Sequence, residues 1–367
     1  MKLIKLELKN FRNLKKIEYE PSPALNIFIG DNAQGKTNLL ESIFVLATGN
    51  SFRKATDANL VNYEKAGYAI KGKFEKSRRV IEASLHYEVH GSKVAVLNNK
   101  KCTQTHEDRL KVVLFTPDDL FLVKGSPARR RTFLDFILRQ LSGDYFYNLS
   151  NFTTILKKRN LLLKREQTKS KTFNIVNDLF IENSIRVVMQ RINFINILEE
   201  ITRQVFQEIN YGQNDIRIRY ALSFAIDNDK INTEVLKIAL RKNMEKKLSD
   251  ELVQRKTLLG PHLDDINIYQ DGRLARTYAS QGQQRNIAIS LKLAELYAFE
   301  KIKGFYPVFL LDEVLAELDE GKRDLLLRHL EKADFQTFLT SVNAEKIKGI
   351  NTQSYLVKEG CLIRKGL

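Results

Sequence analysis

Apolar and polar positions fall into three regimes along the chain. The opening stretch Met1-Lys2-Leu3-Ile4-Lys5-Leu6-Glu7-Leu8 alternates, the period of a strand with one buried face. Short apolar runs at Leu3–Leu8, Leu25–Ile29, Tyr68–Phe74, Val80–Tyr87, Val94–Leu97 and Val112–Phe115 predict a β-rich region to about residue 115. His90-Gly91-Ser92 and Asn98-Asn99-Lys100 supply turns within it. From about 127 to 210 Gly and Pro nearly vanish and the spacing becomes helical. Phe133, Phe136, Ile137 and Leu141 form one stripe; Ile185, Val188, Met189, Ile192 and Ile195 form another. A strand at Ile216–Leu222 and a helix over Ile231–Leu248 follow, and strand–helix alternation returns from about 255. The fold class is α/β, and the simplest organisation is a helical insert between two halves of one domain. The expected parts are 1–120, 121–250 and 251–367. No heptad pattern is long enough for an extended coiled coil.

The run Leu25–Ile29 leads directly into Gly30-Asp31-Asn32-Ala33-Gln34-Gly35-Lys36-Thr37. These residues fit the phosphate-binding loop G-x-x-x-x-G-K-[ST] at every fixed position. Leu39, Leu40, Ile43, Phe44 and Leu46 then recur at helical spacing. Strand, glycine loop and helix is the setting that motif needs, because backbone amides and a helix N-terminus converge on phosphate. Lys36 would reach the β- and γ-phosphates, and the Thr37 hydroxyl would be a Mg²⁺ ligand. ATP or GTP is the expected ligand.

A second apolar run, Pro307-Val308-Phe309-Leu310-Leu311, ends in Asp312-Glu313. A carboxylate at the C-terminal end of a buried strand lies where ligands gather in open α/β sheets. Asp312 is the candidate Mg²⁺ partner, and Glu313 the candidate general base for an attacking water. Ala279-Ser280-Gln281-Gly282-Gln283-Gln284-Arg285 opens a further helix, with Ser280 as N-cap and Gly282 allowing close approach by an anion. A merely capped helix reads the same way.

Charge and length narrow the partners. Among 367 residues, 60 Lys and Arg face 44 Asp and Glu, a formal net charge of +16. Such a surface attracts polyanions, nucleic acid first. The stretch containing Lys157, Lys158, Arg159, Lys164, Arg165, Lys169 and Lys171 includes one acid, Glu166. It is a candidate DNA-facing surface, although a solvated helix face accounts for the same run. Arg129-Arg130-Arg131 opens a helix with three cations, against the helix dipole. Two cysteines and no apolar stretch of transmembrane length suit a cytoplasmic protein. Five scattered histidines and two cysteines give no zinc spacing.

With these motifs in place the chain resembles, over essentially its whole length, the RecF family of bacterial DNA replication and repair proteins. These are relatives of SMC-type and ABC-type ATPase heads. Leu8-Lys9-Asn10-Phe11-Arg12-Asn13 is similar to the family's opening block. Phe115-Thr116-Pro117-Asp118-Asp119-Leu120, Val123-Lys124-Gly125-Ser126-Pro127 and Arg130-Arg131 are similar to its middle block. Leu259-Gly260-Pro261-His262-Leu263-Asp264-Asp265 resembles its G-P-H-x-D-D block, and Ala316-Glu317-Leu318-Asp319 its D-loop. The resemblance implies a P-loop head with an antiparallel β subdomain and a helical lobe. It also implies that Arg12, Ser280, Gly282, Gln283 and Asp319 join Gly30–Thr37 at ATP. It further implies a homodimer closed by ATP and Mg²⁺ around double-stranded DNA near single-strand gaps, with slow, DNA-stimulated hydrolysis releasing it. RecR, RecO and RecA loading are the implied partners and task. Several positions depart from related patterns. Gln281 replaces a signature glycine, Pro117-Asp118 stands where relatives carry a sensor glutamine, and Phe52 stands where histidine is expected. Phe338-Leu339-Thr340-Ser341 lacks a switch histidine, leaving Thr340 or Ser341 as substitutes. A small-molecule kinase would not need Ser280-Gln281-Gly282-Gln283, and an ABC subunit serving a membrane would not need the basic helical insert.

Overall fold

The computed structural model describes residues 1–103, 106–210, 212, 214–227, 231–342 and 353–365. Two compact units emerge: Met1–Leu120 with Glu295–Leu367, and Phe121–Ala294. The chain begins with β1 (Lys2–Phe11), β2 (Leu14–Tyr19), β3 (Leu25–Ile29), α1 (Lys36–Thr48), β4 (Gly67–Lys76), β5 (Arg79–Glu88), β6 (Val94–Leu97), β7 (Lys100–Lys101) and β8 (Val112–Phe115). Next come α2 (Pro127–Leu141), α3 (Gly143–Lys164), α4 (Lys171–Ile209), β9 (Ile216–Ala221), α5 (Thr233–Gln254), β10 (Asp265–Gln270), β11 (Arg273–Leu274) and α6 (Ala275–Tyr278). The chain closes with α7 (Gln281–Lys303), β12 (Val308–Asp312), α8 (Glu320–Glu331), β13 (Thr337–Ser341), β14 (Gln353–Lys358) and β15 (Cys361–Lys365).

The first unit holds two sheets. One is antiparallel, in the order β2-β1-β4-β5-β6-β7. Its strands alternate, so that Leu6, Leu8, Ile70, Phe74, Ile81 and Leu85 are buried while the intervening positions are polar. The other sheet runs β15-β14-β3-β13-β12-β8 and is parallel except for the β14–β15 hairpin. Strands β3, β12 and β13 are buried at every position, as expected for parallel strands covered on both faces. The buried polar residue of β3, Asn26, is satisfied. Its side chain donates to Ser22 O at 2.9 Å and accepts from Ser22 N at 2.7 Å.

The second unit is mainly helical, around the 39-residue α4, with a three-stranded antiparallel sheet β11-β10-β9. Pairing of β10 with β9, from Asp265↔Ala221 to Gln270↔Ile216, draws residues beyond 251 into this unit. The division therefore falls at 294/295, inside α7, and the expected boundary at 250/251 is corrected. The physical reason is a strand pairing across more than forty residues, which no local pattern announces. Strand β2 also lies outside the expected strands, because Lys15, Lys16 and Glu18 dilute its apolar positions. Among the described residues no helix is long and apolar enough to cross a membrane.

Candidate nucleotide site

The candidate phosphate-binding loop begins where β3 ends. Gly35, at φ 116°, is the N-cap of α1, and no side chain caps that helix. Its first amides are thus left for a ligand. Asp31, Asn32 and Ala33 are exposed along the loop, with Ala33 at φ 64°. Lys36 is 3% exposed and donates to the carbonyls of Gly30 at 2.8 Å and Asp31 at 2.9 Å. It also pairs with Glu313 Oε1 at 3.3 Å.

Strand order builds the rest. β13 lies between β3 and β12, with Thr340 opposite both Phe28 and Asp312. Thr340, one residue before the end of β13, therefore falls between the end of β3, which leads into the phosphate loop, and the carboxylate ending β12. Thr37 Oγ1 donates to Asp312 Oδ1 at 2.9 Å, and Thr340 Oγ1 donates to the same oxygen at 2.9 Å. The Glu313 amide donates to Thr340 Oγ1 at 2.9 Å, and Glu313 itself adopts φ 55°. A non-glycine residue there carries backbone strain, which clusters at functional sites. Burial pushes the Asp312 carboxyl above the usual carboxylate range. The hydrogen bonds from Thr340 and Thr37 oppose that rise, Glu313's charge adds to it, and Arg53 opposes it. A nearly dry carboxylate beside a threonine hydroxyl suits a hard divalent cation, which takes oxygen ligands. Thr37 and Asp312 thus fit Mg²⁺.

The signature segment folds as a reciprocal cap. Ser280 Oγ accepts the Gln283 amide at 3.3 Å, and Gln283 Oε1 accepts the Ser280 amide at 2.7 Å. This is a capping box with glutamine at its third position, which places Gly282 in the first turn of α7. Asp319 caps α8 by accepting the Lys322 amide at 3.0 Å and pairs with Lys322 Nζ at 2.9 Å. Those bonds to Lys322 hold its carboxyl below the usual range.

Other expected residues have partners of their own. Arg12 spends its guanidinium on Glu41, at 2.9 and 3.1 Å, and on the carbonyl of Asn59 at 3.0 Å. The structure thus directs Arg12 to Glu41, a fully buried charge on α1 and not among the residues expected from the sequence. The only local hint was an acid inside an apolar helical run. Lys157, Lys158, Lys164 and Arg165 are exposed on α3 and its end. Arg159 is not: it is 1% exposed, pairs with Glu251 at 2.6 Å and donates to Asn177 and Thr257. It also lies over the rings of Phe173 and Phe180. Its inclusion among DNA-facing residues is corrected, since Arg159 lies on the inward face of α3 with Phe152 and Leu163. Arg130 meets Asp265 at 2.8 and 2.9 Å, and Arg131 donates to Asp264 O. Two of the three cations opening α2 are thereby explained. His262 is half-buried in the second unit against Phe152 and Phe180, and desolvation lowers its pKa.

Comparison with known proteins then decides the family. The family model described as RecF/RecN/SMC N terminal domain matches residues 2–361. The chain is 37% identical over 372 residues to the DNA replication and repair protein RecF of Enterococcus faecalis, covering 99% of each. The chain belongs to the RecF family. Two solved structures of RecF, the recombination mediator protein of the RecFOR pathway, are each 30% identical to it. The one titled RecF-ATPrS gives a TM-score of 0.91 with 99% of this chain and 98% of that one covered. The one titled RecF-ATP gives 0.88 with 100% and 98% covered. The fold is that of an SMC-type ATPase head, and Gly30–Thr37 and Asp312-Glu313 remain its candidate nucleotide-site motifs.

Proposed function

We propose that the chain is an ATP-dependent DNA-binding ATPase of recombinational repair. The observation that carries this reading is the Thr37–Asp312 contact at 2.9 Å, which joins the phosphate loop to the carboxylate strand. A RecF relative bound to ATP supports the choice of nucleotide.

Gly30–Thr37 and the open N-terminus of α1 would hold the triphosphate, and Lys36 would exchange its loop carbonyls for phosphate oxygens. Mg²⁺, when bound through Thr37 and Asp312, would supply charge neutralisation. Glu313 would take a proton from the water that attacks the terminal phosphorus, giving ADP and phosphate. Thr340 holds the backbone that carries this base. Ser280, Gly282 and Gln283 would meet the triphosphate bound by a second copy, with Asp319 at the same junction, so that two composite sites close a symmetric dimer. Loss of the terminal phosphate would loosen it.

The dimer would hold double-stranded DNA beside single-strand gaps, work with RecR and RecO, and assist RecA loading. A formal charge of +16 supports backbone-directed, salt-sensitive binding, with affinity falling on the order of 10³-fold between 50 and 200 mM salt. Sedimentation with and without Mg·ATP and gapped duplex tests the reading. The wild type should dimerise only with ATP, and Lys36→Met and Ser280→Arg should each remain monomeric. A dimer that persists in either variant would sink the composite-site account.

A further inference from the structure

Two turns grip the phosphate loop from behind, and neither takes part in the chemistry above. The first, Arg12-Asn13, joins β1 to β2. Asn13 Nδ2 donates to Gln34 O at 3.1 Å, and Asn13 Oδ1 accepts from Asn38 Nδ2 at 2.8 Å. The second, Glu359-Gly360, joins β14 to β15 with φ of 49° and 73°, the signs expected of a tight two-residue hairpin. Both of its amides address one residue of the loop. Glu359 N donates to Gln34 Oε1 at 2.7 Å, and Gly360 N donates to Gln34 O at 3.0 Å.

Packing leaves no slack at this junction. A Cβ on Gly360 would stand 2.4 Å from Asn13 O, and one on Gly30 would stand 2.4 Å from Val357 O. A Cβ on Gly35 would meet Asn13 Oδ1 at 2.9 Å. The pairing of Leu356 with Ile29 brings the end of β14 alongside the start of the loop. Gly30 is therefore confined by the hairpin as well as by the phosphate motif.

We propose that Asn13 and the Glu359-Gly360 turn are positioning residues that set the curvature of the phosphate loop through Gln34 and so govern nucleotide affinity. This rests on the nucleotide reading above. The peptide between Gln34 and Gly35 is planar and trans, so its carbonyl and its N–H point opposite ways. Two donors, Asn13 Nδ2 and Gly360 N, hold the Gln34 carbonyl outward. The Gly35 N–H is thereby turned the other way, toward the concave side where loop amides converge on an anion. A loop fixed before the ligand arrives avoids the ordering cost that a slack loop must meet on binding.

The test uses the full chain as wild type, Gly360→Ala, Asn13→Leu and Lys36→Met, titrated with Mg·ATP by calorimetry and assayed for phosphate release. Gly360→Ala forces the hairpin turn away from Asn13. Asn13→Leu is a near-isosteric change at an exposed position, so it decides the matter even if Gly360→Ala fails to fold. In each positioning variant Kd and KM for ATP should rise about tenfold, in proportion to a lost hydrogen bond. At saturating ATP, kcat should change by less than about twofold, which a general loss of structure would not spare. Wild-type affinity in Asn13→Leu, or a fall in kcat with KM unchanged, overturns the inference. If the wild type binds ATP no better than Lys36→Met, the nucleotide reading falls and takes this one with it. If the wild type binds, Lys36→Met does not, and both positioning variants bind normally, this inference alone is wrong.

Discussion

Thr340 Oγ1 stands 2.9 Å from Asp312 Oδ1 and, from the same position, accepts the amide of Glu313 at 2.9 Å. One hydroxyl thus spans the candidate metal-binding carboxylate and the backbone of the candidate base. Its proton goes to one and its lone pair to the other. The position at the end of β13 carries no histidine, and of the two hydroxyl residues there it is Thr340 that makes this bridge.

Thr340→Val removes both bonds while keeping the volume. The strained backbone of Glu313 loses its anchor, and a buried acceptor loses a donor. Phosphate release at saturating ATP should fall roughly 10- to 100-fold, on the scale of about 1–3 kcal/mol for such a loss. Affinity for Mg·ATP should change by less than about threefold, because the phosphate loop is untouched. Equal losses in affinity and turnover would contradict this assignment.

Asp312→Asn should abolish hydrolysis yet raise the melting temperature of the nucleotide-free protein, by roughly 2–4 °C. Burial raises the Asp312 pKa, so the folded state holds its proton more tightly than the unfolded chain does. The carboxyl is harmless below the unfolded value of 3.8. Its cost grows as pH rises through the raised folded value and is complete at neutral pH. Melting curves should therefore separate at pH 7 and converge near pH 3.5. Persistent separation at the acid end would point to a cause other than ionisation.

Arg159→Ala should destabilise the second unit by about 3–5 kcal/mol, since it strands Glu251, 0% exposed, without its partner. Replacing Lys157, Lys158, Lys164 and Arg165 together by Ala should leave the fold intact, weaken duplex binding and flatten its salt dependence. Denaturant melts and salt-dependent binding titrations separate the two effects. DNA binding that survives the fourfold change with its salt slope intact would exclude this face of α3.

His262→Phe should remove a pH dependence of stability. The histidine is half-buried against Phe152 and Phe180, and desolvation is the main cause lowering its pKa, so the unfolded chain binds the proton more readily. Its contribution is complete above the unfolded value of 6.5 and is lost as pH falls through the folded one. Wild type and variant should behave alike at pH 8 and diverge below about pH 6. Parallel melting profiles across that range would remove His262 as a titrating group.

Much of the local structure around the candidate nucleotide site is legible because it is built from contiguous residues. Gly30–Thr37 carries its own loop and helix, and Val308–Leu311 ends in its own carboxylates. Ser280 marks a helix start as its N-cap, and the structure adds that Ser280 and Gln283 each cap the other's backbone. What stayed hidden depends on chain crossings. Nothing near Thr340 says that β13 runs between β3 and β12, so its bond to Asp312 could not be read from spacing. Arg159 shows the same limit in reverse: it sits in a basic run, and only the helical phase of α3 against Phe173 and Phe180 turns it inward. The pairing of β10 with β9 moved a boundary for the same reason.

The contact between Lys36 Nζ and Glu313 Oε1 at 3.3 Å ties the lysine of the phosphate loop to the candidate base. If the proposed triphosphate drew on that lysine, it would compete with Glu313 for the same charge, and nucleotide binding would then be coupled to release of the candidate base.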